Sequence, residues 1–255
     1  MAVETGLRWA LNLVTVLLAT STAILGILLI NHLFKNKLKH LFDNLEVFIF
    51  SFLIFGYSCF AVAEVCWFLI LGIMDQTLSA SMPDFYWVVG SVFLLLAFCI
   101  MFIQLYRQHG ELNHLLIMLV LGVIILGGIS YFTYSLVQLE APKTSGDLFL
   151  SYFYPLMSAL ILVLSFGVYL FFERIDRFAH NLLLLSVANA AFLIGDLLYT
   201  VITIKKEYGF YGFLSDVSYI VAYFLCSFSF LWLLFHLRRN SQPEENENSA
   251  LWRED

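Results

Sequence analysis

The chain has 255 residues, 61% of them hydrophobic and only 13% charged, with a mean hydropathy of +0.87. This composition excludes a soluble domain and describes an all-α integral membrane protein. The formal net charge of −6 gathers partly in an acidic C-terminal stretch, and no basic patch points to nucleic acid.

A transmembrane helix needs about 20 predominantly apolar residues. Seven such runs follow one another near 9–33, 46–73, 84–106, 113–137, 148–172, 178–204 and 213–236. The first is preceded by Glu4 and Arg8 and is long for a signal-peptide core, so it reads as an uncleaved first span. Residues 1–239 form a seven-helix transmembrane domain. Residues 240–255, polar, acidic and broken by Pro243, read as a disordered cytoplasmic tail with no room for a soluble catalytic domain. Cys59, Cys66, Cys99 and Cys226 all fall inside spans, which leaves no loop pair for a disulfide and no metal-binding CxxC.

Lys35, Lys37, Lys39, Arg107, Arg174, Arg177, Arg238, Arg239 and Arg253 lie on one side, against Arg8, Lys143, Lys205 and Lys206 on the other. The excess of basic residues marks the cytoplasmic side. The expected topology is therefore N-terminus out and C-terminus in, multi-pass in the cell membrane. Spans 1–3 and 5–7 then run in matching directions around span 4. That is a parallel 3+1+3 internal repeat, with halves of about 9–106 and 148–236 and a linker helix of about 113–137.

Four carboxylates mark the repeat. Glu64 and Asp84 are 20 residues apart, as are Asp196 and Asp216, and the second pair follows the first at an offset of 132. Each acid is followed three residues later by a large aromatic: Trp67 matches Tyr199, and Trp87 matches Tyr219. An ionised acid near the bilayer centre costs roughly 2.5–3.5 kcal/mol even on insertion scales, so these acids should face the bundle interior.

Helix 6 carries a polar stripe of Asn189, Asp196 and Thr203, with Ser186 and Tyr199 on adjacent turns, and helix 2 a thinner one of Tyr57, Glu64 and Trp67. Helix 3 opens with Asp84, Trp87 and Ser91, and helix 7 with Asp216, Tyr219 and Tyr223. All four acids map to the outer half of the membrane. A cavity lined by Glu64, Asp196, Asp84, Asp216, Trp67, Tyr199, Asn189, Trp87, Tyr219 and Tyr223 would suit a cation. That cation is a metal held by oxygen ligands or an amine held by charge and cation–π contact, and a proton is the other charge partner such acids can take. An apolar ligand is the further option, because 26 Phe, 13 Tyr and 5 Trp supply abundant ring surface. The sequence does not identify a cofactor.

Structural roles compete with each of these. Asp84 and Asp216 stand at the expected starts of helices, where capping of free N–H groups accounts for both. Glu64 and Asp196 are the leading functional candidates, with an interhelical hydrogen bond as their alternative, and Asn189 and Tyr199 also fit helix packing. His32, His40, His109, His114, His180 and His236 map to inner helix ends or inner loops, away from the acids and without ligand spacing.

The segment Gly195-Asp196-Leu197-Leu198-Tyr199, followed by Tyr208 and Gly209 and then Leu214-Ser215-Asp216 with Tyr219 and Tyr223, carries a resemblance. It resembles the closing helix pair of the multi-helix membrane regions at the N-terminus of bacterial and archaeal signalling proteins, including histidine kinases and diguanylate cyclases. Ala63-Glu64 to Trp67, then Pro83-Asp84-Phe85-Tyr86, resembles their earlier helix pair. The resemblance implies a heptahelical sensor module of undefined ligand; no kinase or cyclase domain follows here, so output would pass to a separate cytoplasmic or membrane partner. Retinal proteins and eukaryotic-type receptors do not fit. Residues 213–236 contain no lysine or Asn-Pro, and helix 3 ends in Gln104-Leu105-Tyr106-Arg107.

The expected function is a membrane-embedded sensory or ligand-binding module using an outer acid and aromatic pocket. The alternative is a cation- or proton-coupled transporter or channel built from two three-helix repeats. Its inward polar path would run through Asn189 and Ser186 on helix 6 but only through Ser58 and Ser51 on helix 2. No enzymatic activity is expected, since the histidines lie opposite the acids.

Overall fold

In hydrocarbon each backbone N–H and C=O must be paired within its own segment, which makes helices the available solution for apolar runs of this length. The computed structural model describes residues 2–34, 45–70, 81–109, 112–139, 144–172, 179–205 and 209–240. It contains α1 (Ala2–Phe34), α2 (Leu45–Phe68), α3 (Met82–His109), α4 (Leu112–Leu139), α5 (Ser145–Phe172), α6 (Ala179–Lys205) and α7 (Gly209–Asn240). Each is long and apolar enough to cross a membrane, and the chain is a seven-helix, multi-pass membrane protein.

Several helices outrun their apolar cores, because polar end turns keep their hydrogen bonding outside the hydrocarbon. α1 starts at Ala2 rather than near 9, so Arg8 is a helical residue. α7 starts at Gly209, whose φ of +29° glycine adopts without a side-chain clash, rather than at 213. Asp216 is consequently about two turns inside α7 and does not cap it. Lys35, Lys37, Lys39, His40, Lys143, Arg174, Arg177, Lys206, Tyr208, Arg253 and the tail beyond Asn240 lie outside the described residues.

The helix ends that are described carry local signals. Asp84 at the third position of α3 takes hydrogen bonds from the Ser81 N–H (2.6 Å) and hydroxyl (2.9 Å), the reach-back half of a capping box. Thr144 Oγ1 accepts the Asp147 N–H at 3.1 Å and caps α5.

α1 packs on α2 and α7, α2 on α3, α3 on α5, α5 on α6 and α6 on α7, which closes a ring of six helices. This pairing is unchanged when α1, α2 and α3 are exchanged with α5, α6 and α7. α4 lies outside the ring against α5 and, more lightly, α6, with Val123 and Tyr131 more than 70% exposed. α2 and α3 approach closely at two glycines. A Cβ on Gly90 would stand 2.8 Å from the Gly56 carbonyl oxygen and 2.6 Å from the Phe60 ring. The positions 132 residues onward, Ala188 in α6 and Ala222 in α7, are likewise small and fully buried.

Polar ties hold α7 against both neighbours. Thr22 and Ser227 hydroxyls are 2.7 Å apart and Ser227 reaches the Leu18 carbonyl at 3.2 Å, joining α1 to α7. Ser215 donates to the Gly195 carbonyl at 3.0 Å, and Ser229 to that of Asn181 at 3.2 Å, joining α6 to α7.

Candidate functional site

Where α1, α3, α5 and α7 begin and α2 and α6 finish, the ring encloses a cavity of about 240 Å³. All six ring helices contribute. α2 and α6 supply Phe60, Glu64 and Trp67 on one side and Phe192, Asp196, Tyr199 and Thr203 on the other. α7 adds Ser215, Asp216, Tyr219 and Tyr223, and α3 adds Trp87 and Ser91. α1 and α5 complete the wall with Arg8, Asn12, Thr15, Tyr154 and Ser158.

The acids are positioned by hydroxyl donors. Glu64, 7% exposed, accepts the Tyr223 hydroxyl at 2.9 Å. Asp196 accepts hydrogen bonds from the Tyr219 hydroxyl, at 2.7 Å, and from the Ser158 hydroxyl. These hydroxyls hold the two acids in place, and Arg8 is a basic side chain in the same cavity lining. Asp216 and Asp196 are both within electrostatic reach of Glu64, and Trp87 lines the same cavity. Tyr219 reaches Asp196 because its ring lies against Gly195, where a Cβ would come within 2.8 Å of it.

Aromatic rings form the walls and floor. Trp67 meets Trp87 at 5.7 Å and Tyr199 at 6.3 Å, and Trp87 meets Tyr154 at 6.3 Å. At the base, Phe60 and Phe192 meet at 5.7 Å, and Phe192 stands 4.9 Å from Tyr223. Beneath them Tyr57 packs edge-on against Phe60 at 6.4 Å and Phe230 at 5.7 Å, in fully buried surroundings. These centroid separations are those of favourable edge-to-face pairs.

Eight of the ten sequence-derived candidates line this cavity: Glu64, Asp196, Asp216, Trp67, Tyr199, Trp87, Tyr219 and Tyr223. Asp84 does not. Its carboxylate is held by Ser81 and by the Tyr154 hydroxyl at 2.6 Å, which fastens α5 to α3 behind the wall. Asn189 is buried two turns nearer the other end of α6, and its Nδ2 has no hydrogen-bond partner. Capping describes Asp84, as a partner of Ser81, and fails for Asp216, which lines the cavity.

The contributions of α1 and α5 were not anticipated from the sequence. Arg8, Asn12 and Thr15 follow an i, i+4, i+7 spacing, and Ser151, Tyr154 and Ser158 an i, i+3, i+7 spacing, the kind of signal that singled out α6. His32, His109, His114, His180 and His236 stand at the opposite end of the bundle; His40 lies outside the described residues. Among the described residues, no three His, Cys, Asp or Glu side chains gather closely enough to hold a metal ion. Set against protein-family models, curated proteins and solved structures, the chain matches none.

Proposed function

We propose that this protein is a membrane-embedded ligand-binding module that takes a small organic cation in the acid and aromatic cavity and passes its occupancy to a separate partner. The observation that carries this reading is the convergence of Glu64, Asp196 and Asp216 with Trp67, Trp87, Tyr199 and Tyr219 around one cavity. An ammonium group gains there from carboxylate charge and from ring faces together. An amine is favoured over a metal ion because the acids are spread around the wall and bound to hydroxyls rather than gathered as a ligand set. The loop charges support an outward-facing mouth in the cell membrane, with the N-terminus outside.

Ligand binding favours the ring geometry in which the acids are satisfied, and a shift between two packings of the helices is the signal read at the inner end. A binding module is preferred to a transporter because the rings of Phe60, Phe192, Tyr57 and Phe230 fill the space below the cavity. The transporter reading draws on a different observation. Buried Asn189 and Asn181, each with an unpartnered side-chain atom, continue the polar stripe of α6 inward. The proposed role is binding and not catalysis, which the remoteness of the histidines supports.

The test is thermal unfolding of the purified protein in detergent across organic amines, metal ions and pH, for wild type, Glu64→Gln and Asp196→Asn. A bound amine at 100 times its dissociation constant adds about 2.7 kcal/mol of stability to wild type. Wild type is expected to gain with amines and the variants to gain less. Wild type unmoved by every amine, with both variants equally stable, would overturn the reading. Amine flux into liposomes then separates module from transporter.

A further inference from the structure

We propose that the cavity takes a linear organic dication, an α,ω-diamine with one ammonium held by each half of the ring. This rests on the cation-binding reading above and names its ligand class. Phe60, Glu64 and Trp67 in α2 recur at an offset of 132 as Phe192, Asp196 and Tyr199 in α6. In each helix the acid lies between an aromatic one turn below and another one turn above.

α2 and α6 are not neighbours in the ring, since α2 packs on α1 and α3 and α6 on α5 and α7. Their matched residues nonetheless meet across its centre: Phe60 with Phe192 at 5.7 Å and Trp67 with Tyr199 at 6.3 Å. Residues meeting their own counterparts are what a two-fold axis through the cavity produces. The two acids therefore face the cavity from opposite sides, each oriented by an α7 tyrosine, Tyr223 for Glu64 and Tyr219 for Asp196.

The charges call for more than one positive group. Glu64, Asp196 and Asp216 line the cavity with one basic side chain, Arg8. A monoamine reaching Glu64 leaves Asp196 held by the Tyr219 and Ser158 hydroxyls, whereas a second ammonium gives it a charge-assisted partner. A diamine satisfies both, and its methylene stem lies along the ring faces between them. Two facing acid and aromatic triplets, one on α2 and one on α6, fit a ligand with a cation at each end.

The experiment titrates wild-type protein in detergent with butylamine, diaminobutane and longer diamines, following the melting temperature, with calcium chloride in parallel. The best diamine is expected to half-saturate at a concentration at least about tenfold below the monoamine of equal carbon number, a difference of about 1.4 kcal/mol. Affinity should peak at one chain length, because both ammonium groups must reach their acids. Glu64→Gln and Asp196→Asn should each reduce the diamine to the level of the monoamine, and the chain-length series in wild type carries the test should either variant fold poorly. Equal affinity for monoamine and diamine, or calcium stabilising as well as the diamine, overturns the two-ended site. Equal amine affinities leave the cation reading standing, whereas no response to any amine removes both.

Discussion

Phe60 and Phe192 stand 132 residues apart in the chain, on helices that are not ring neighbours, yet their rings meet edge to face at 5.7 Å. The contact is the floor of the cavity. Replacing either ring by alanine leaves a void that the surrounding helices fill only in part, and the loss should be about 3–5 kcal/mol. Because the two rings share one contact, the double variant should lose less than the sum of the single losses, measured as unfolding free energies in detergent. Strict additivity would show that the rings do not support each other.

Tyr223 and Tyr219 each give a hydroxyl to a carboxyl group. Tyr223→Phe keeps the ring and removes the donor, and interhelical hydrogen bonds in membranes average about 0.6 kcal/mol with a maximum near 1.7. A loss of about 1 kcal/mol is therefore expected. On a Glu64→Gln background the same substitution should cost measurably less. A full double-mutant cycle reads this coupling, and a coupling of zero would separate the tyrosine from the acid.

Gly195→Ala sets a methyl group 2.8 Å from the Tyr219 ring, while Gly127→Ala in α4 meets nothing within 4 Å. The first should cost about 1–3 kcal/mol through overpacking and should weaken amine binding by moving Tyr219 from Asp196. The second should leave stability and binding as in wild type. Melting curves with and without butylamine check both.

Ser81→Ala removes the hydroxyl that bonds Asp84 and part of the α3 capping box. A loss of about 1 kcal/mol is expected, together with faster amide exchange in the first turn of α3. Asp216→Asn, two turns inside α7, should leave amide exchange at the start of α7 unchanged and act instead on ligand affinity. Hydrogen exchange followed by mass spectrometry distinguishes these outcomes.

Much of the candidate cavity lining was legible before any tertiary structure. Glu64 and Asp196 stood out because ionisable groups in apolar runs are costly enough to need an interior position, and Trp67, Tyr199, Trp87 and Tyr219 recur beside the acids at fixed spacing. Asp216 was misjudged as a cap because apolar periodicity begins four residues after α7 does. Arg8 was assigned to the outer loop charge for the same reason at α1. Tyr154 and Ser158 were missed because α5 contains no acid below its first turn to draw attention to its polar face.

The sequence by itself determined seven spans, the inward preference of the acids and the recurrence of aromatic partners, since transfer of a side chain from water to lipid is a local property of each segment. Tertiary structure alone decided that α2 and α6 meet across the ring, that α4 stands outside it, that Asp84 is taken by Ser81 and Tyr154, and that Asp216 joins the cavity. An apolar side chain is as well solvated by lipid tails as by another helix, so hydropathy does not say which face turns inward. Close packing at Gly56 and Gly90 and the hydroxyl ties along α7 make that choice.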